Sequence, residues 1–149
     1  MSNKEFKDTL DKVLKPHGFK KKGNEWTMET IELLKVIDLQ KSNFSNLYYL
    51  NYGYNFKGFD YDGTTYHIFS RLGSIDKEIN TVIQATFDLE TPMDDLTRGR
   101  NLSDLVNSVL LKEMNSTNSK DDILNLLKTR QTLNDISFRV KQYLNIELE

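Results

Sequence analysis

Cysteine is absent and histidine occurs only at positions 17 and 67, which removes disulfides, thiolate metal sites and cysteine nucleophiles together. His17 and His67 lie far apart in the chain with no HExxH spacing, so zinc is not expected. The phosphate-cradling patterns GxGxxG and GxxxxGK followed by Ser or Thr are missing, as is the GxSxG nucleophile elbow. Asp60-x-Asp62-Gly63 has the start of a calcium loop, but the later acidic ligands do not line up, and a β-turn explains it better. No metal and no cofactor is expected, and no residue is assigned a catalytic role. The adjacent pairs Asp94-Asp95 and Asp121-Asp122 fit helix starts, where carboxylates complement the dipole.

One constellation has the makings of a binding site. If Ile37 and Leu39 pair with Leu50 and Tyr52 on a core side, then Asp38, Gln40, Asn51 and Asn55 share the opposite face of a sheet. His67 and Arg71 flank Phe69 at two positions on either side, so on one strand they point the same way. Such a face suits a small polar or anionic ligand: Arg71 as the anion clamp, Gln40 and Asn51 as amide readers, Asp38 beside them and His67 as a titratable donor. The competing reading is a polar surface that satisfies itself, with Arg71 paired to Asp38. No nucleophile stands beside His67, so a catalytic base is not inferred.

The elements that must position these residues follow from periodicity. Phe6, Leu10, Val13 and Leu14 form one helical stripe, Ser2 with Glu5 fits a capping box, and Pro16 with Gly18 ends the helix near residue 15. Leu33–Lys41 and Tyr48–Phe56 read as strands joined by the turn-forming Ser42-Asn43-Phe44-Ser45-Asn46, an antiparallel hairpin. A further strand is expected over Tyr66–Leu72. Residues 75–89 carry both periods, and the β-branched and aromatic residues of Asn80–Leu89 favour a strand. Beyond Pro92 the helical period returns in three stripes: Leu102 to Leu110, Ile123 to Leu127 after a Ser119 cap, and Leu133 to Leu144. The expected fold is α+β, one domain over 1–149, with an N-terminal helix, an antiparallel sheet of four to five strands and three C-terminal helices on one face.

Net charge is −2 over 149 residues, with 20 basic and 22 acidic side chains and a pI near 5.7. Nucleic acid is therefore not an expected partner, although Lys20-Lys21-Lys22 offers phosphate contacts; a solvated turn between helix and strand accounts for that run. Charge is unevenly spread: residues 58–95 hold eight acidic groups against two basic. That stretch, with Asp60, Asp62, Asp94 and Asp95, is the candidate surface for a protein with a basic face. With no signal-like leader and no apolar run approaching about 18 residues, a cytoplasmic protein away from membranes is expected. An exposed sheet edge would let a second copy pair as a homodimer.

The string Leu14-Lys15-Pro16-His17-Gly18-Phe19-Lys20-Lys21-Lys22-Gly23-Asn24-Glu25-Trp26, then Leu39-Gln40-Lys41-Ser42 and Asn51-Tyr52-Gly53, resembles the bacterial family called domain of unknown function 4304. His67 with Arg71-Leu72 and the Tyr143-Leu144-Asn145-Ile146 tail extend the resemblance over nearly the whole chain. That resemblance implies no activity. The expectation is a non-catalytic protein-interaction module, with an immunity or antitoxin type as the example, in the sense that a nucleic-acid-degrading toxin would present the basic surface. The alternative is a small-ligand binder or enzyme using Gln40, Asn51, His67 and Arg71.

Overall fold

The computed structural model describes residues 1–59, 66–74 and 76–146. Helix α1 (Asn3–Leu14) begins with the expected capping box: the Glu5 amide donates to the Ser2 hydroxyl and the Ser2 amide to the Glu5 carboxylate. A 3₁₀ turn at Lys15–His17 ends on Gly18, whose φ of 92° is the left-handed stop. Five strands follow: β1 (Lys20–Lys22), β2 (Glu25–Glu29), β3 (Leu33–Lys41), β4 (Tyr48–Phe56) and β5 (Ile68–Arg71), antiparallel and in chain order across the sheet. Lys20-Lys21-Lys22 is thus an exposed edge strand rather than a turn. The turn is the next pair, Gly23-Asn24, where Gly23 takes φ 64° and closes a two-residue hairpin.

The β3–β4 register matches the expected pairing, with Ile37 opposite Tyr52 and Leu39 opposite Leu50. Alternation then sorts the two faces. Leu33, Ile37, Leu39, Tyr48, Leu50, Tyr52, Tyr54, Phe56 and Ile68 point inward and are buried. The helices pack on that side: Phe6 of α1 stacks on Tyr48, and the Trp26 indole N–H donates to Asp11 at 2.9 Å. They join a continuous apolar cluster that reaches from Phe6 to Leu144.

Residues Lys77–Phe87 form helix α2, which corrects the expectation of a strand over Asn80–Leu89. Asp76 caps it by accepting from the Glu78 and Ile79 amides, and the 3.6 period buries Ile83, Thr86 and Phe87. Capping and burial outweigh the local preference of Thr81, Val82 and Ile83 for extended backbone. Helix α3 (Asp95–Leu105), a π turn (Val106–Leu110) and α4 (Leu111–Asn115) run on without a break. Arg98 of α3 is buried and donates to the carbonyls of Ala85, Thr86, Asp88 and Thr91, fastening the end of α2. Helix α5 (Lys120–Leu127) starts on its Ser119 cap, whose hydroxyl accepts from the Asp122 amide. Helix α6 (Phe138–Leu144) is shorter than its stripe suggests: Ser137 caps it, leaving Leu133 and buried Ile136 in the preceding turn. The α+β architecture thus has three helical segments after Pro92, with α2 as an additional one. No helix among the described residues is long and apolar enough to cross a membrane.

Candidate functional site

Among the described residues no helix packs on the outward face of the sheet, and four of the sequence-derived residues meet there. Asp38 stands directly opposite Asn51, and Asn51 opposite Arg71, across three adjacent strands. The Asn51 amide N–H₂ donates to Asp38 Oδ1 at 3.2 Å and to Gln40 Oε1 at 2.9 Å. Arg71 Nε donates to Asn51 Oδ1 at 2.9 Å and Nη2 to Gln40 Oε1 at 3.1 Å. Its guanidinium lies over the Tyr49 ring, 4.3 Å from the centroid, a cation–π contact that also holds the plane of the group. Arg71 therefore binds amide oxygens and an aromatic face rather than the Asp38 carboxylate, and it forms no ion pair among the described residues.

Tyr66 completes the group; the strand expected over Tyr66–Leu72 starts only at Ile68, so alternation did not place it. Its hydroxyl donates to Asp38 Oδ2. Burial, then the hydrogen bond and charge of Asp38, push its ionisation well above the ordinary tyrosine range. The ring lies on Gly53 of β4: a Cβ built there would meet Tyr66 Cδ1 at 2.6 Å and the Ile68 carbonyl at 2.1 Å. Gly53 is the legible hint, since glycine within an aromatic strand marks a close approach. Beside Tyr66 a concavity of about 420 Å³ is lined by Asp38, Asn55, Val36 and Glu25.

His67 does not join this group. Its ring stacks on Phe56 and leans on Phe59, and Nδ1 accepts from the Phe56 amide at 2.9 Å. It is only 7% exposed and faces the covered side. Its backbone explains the departure: the His67 amide donates to the Asn55 side chain, strand β5 starts one residue later, and alternation cannot be extended back through it. His17 is exposed on the 3₁₀ turn, with Nδ1 3.4 Å from the Asn115 amide.

Asp60 and Asp62 lie outside the described residues. Asp94 is the N-cap of α3, accepting from the Thr97 amide and hydroxyl, both at 2.8 Å, which hold its carboxyl below the usual range. Asp95 receives the Met1 amino group at 2.8 Å.

A second polar set sits under the sheet, and nothing in the periodicity picked it out as a group. Tyr54 donates to Glu113 Oε2 at 2.8 Å and Tyr52 to Glu113 Oε1 at 3.3 Å, joining β4 to α4. Burial first, then the Glu113 charge, raises the ionisation of both tyrosines. Lys35 of β3 is fully buried, with Nζ on the Met114 carbonyl and 2.8 Å from Asn118 Oδ1. Desolvation lowers its pKa, opposed by the Asp122 charge. These groups tie strands to helices. Arg130 likewise donates to the Phe69 carbonyl at 2.7 Å and to the Ser70 hydroxyl at 2.8 Å, bracing β5.

A two-layer α+β protein with helices on one side of the sheet and a preassembled polar and aromatic face on the other is the class that emerges. The sequence profile described as Domain of unknown function (DUF4304) matches residues 10–145, and the chain belongs to that family. Comparison with curated proteins and with solved structures gives no match in either case.

Proposed function

We propose that this protein is a non-catalytic interaction module and that the open sheet face docks another protein. One observation carries the reading: Arg71, Gln40, Asn51, Asp38 and Tyr66 are locked by one another before any partner arrives. Side chains already held in place lose little entropy on docking, and Arg and Tyr on a rigid platform are the residue types that dominate interface energies. The excess of acidic groups over residues 58–95 supports a partner with a basic surface, as an immunity or antitoxin-type role in the cytoplasm would require.

Native mass spectrometry of the tagged protein, isolated gently from its own host, tests this together with two variants. The expected result is a second polypeptide at fixed stoichiometry, lost in Arg71→Glu and retained in the double variant Asp94→Asn, Asp95→Asn. Asparagine keeps the helix cap while removing charge. Retention in Arg71→Glu with loss in the double variant would move the interface to the acidic segment. The protein running alone in every preparation would overturn the reading.

A further inference from the structure

Where β4 begins and β5 ends beside α2, the fold leaves a cleft of about 370 Å³. Its floor is apolar, formed by Leu50 and Leu72 from the sheet side and by Ile83 and Phe87 from the helix. Arg71 and Gln84 stand at its rim. Arg71 spends Nε and one Nη2 bond on its neighbours, so Nη1 still has hydrogens to donate, and the cation has no acidic partner among the described residues. The Gln84 side-chain amide makes no hydrogen bond among them either. The rim is fixed: the Asn80 side chain accepts from the Ser74 amide at 2.7 Å and donates to the Ser74 carbonyl, pinning the end of β5 to α2.

We infer that this cleft binds a small organic monocarboxylate, its carboxylate on Arg71 and Gln84 and its apolar body on Leu50, Leu72, Ile83 and Phe87. The volume is near the lower end of ligand pockets, which suits a medium-chain or single-ring acid rather than a nucleotide or a lipid. A single negative charge is selected because Asp88 also lines the cleft, its Oδ1 accepting from the Glu90 amide, and would repel a dianion. The guanidinium is already oriented by Tyr49, Asn51 and Gln40, so the carboxylate meets a preset fork. This inference does not depend on protein docking at the sheet face, although Arg71 borders both.

Titration of the full chain with octanoate, 3-phenylpropionate, octanol and inorganic phosphate, followed by amide chemical shifts, tests it. Saturable shifts in α2 and around Leu50 and Leu72 are expected with the two carboxylates, and none with phosphate. Arg71→Gln should weaken carboxylate binding about tenfold. Gln84→Trp, at an exposed helix position, should block the cleft while leaving partner capture by the sheet face unchanged. Octanol binding as tightly as octanoate, undiminished binding in both variants, or shifts confined to other parts of the molecule would each overturn the inference. Absence of partner capture by the unmodified protein, with carboxylate binding intact, would instead count against the docking proposal alone.

Discussion

The two faces of one sheet handle polar groups in opposite ways. On the covered face Lys35, Tyr52 and Tyr54 reach across to helices, and each hydrogen bond spans a long stretch of chain to Met114, Asn118 or Glu113. On the open face Asp38, Gln40, Asn51 and Arg71 bond to one another across β3, β4 and β5, with Tyr66 joining from just before β5. Buried polar groups must find partners at a cost in freedom of the connecting chain, and they serve to fix helices in place. On the open face Gln40 and Arg71 are exposed, and although Asn51 between them is buried, its bonds stay within the sheet, so this network orients side chains without fastening helices. The first arrangement is architecture; the second is available for recognition.

That contrast is open to direct attack. The largest separation is expected between Ile37→Ala, which empties a fully buried position of the covered face, and Gln40→Ala on the exposed face. Urea unfolding should show a loss of about 2–5 kcal/mol for the first and under about 1 kcal/mol for the second. Gly53→Ala comes next, with a loss of about 1–3 kcal/mol. Its Cβ has no room against the Ile68 carbonyl, so β5 and Tyr66 should lose amide-exchange protection before β3 does.

Tyr54→Phe should cost about 1–2 kcal/mol by taking a partner from Glu113, and it also alters the alkaline limb. Tyr52, Tyr54 and Tyr66 hold their protons in the folded state above the ordinary value near 10. Their contribution is whole below that pH and falls away above it, because the unfolded chain ionises first. Lys35 acts in the other direction. Its lowered pKa makes stability rise with pH until its ordinary value is reached. Above that point the tyrosines decide the slope, and Tyr54→Phe should make it shallower in urea titrations at increasing pH. The smallest effect belongs to the cap of α3: Asp94→Ala should lower the midpoint of thermal unfolding at neutral pH slightly, and Asp94→Asn should lower it less still.

Sequence alone carried the register of β3 on β4, because both strands alternate over nine residues and a one-residue slip would turn every apolar side chain to water. It carried the helix caps at Ser2 and Ser119 for the same local reason: cap and amide are three residues apart. The grouping of Asp38, Gln40 and Asn51 on one face followed from alternation as well. Tertiary structure decided the rest. Residues 77–87 became a helix because Arg98, from α3, gathers the carbonyls at its end and the core takes Ile83 and Phe87. His67 turned inward because the Asn55 side chain interrupts the strand before Ile68. Tyr66 reached Asp38, and Tyr54 reached Glu113, across separations that no short-range pattern encodes. Period and capping are set by neighbours a few bonds away, whereas the partner of a buried or interstrand polar group is chosen by which distant segments the packed core brings together.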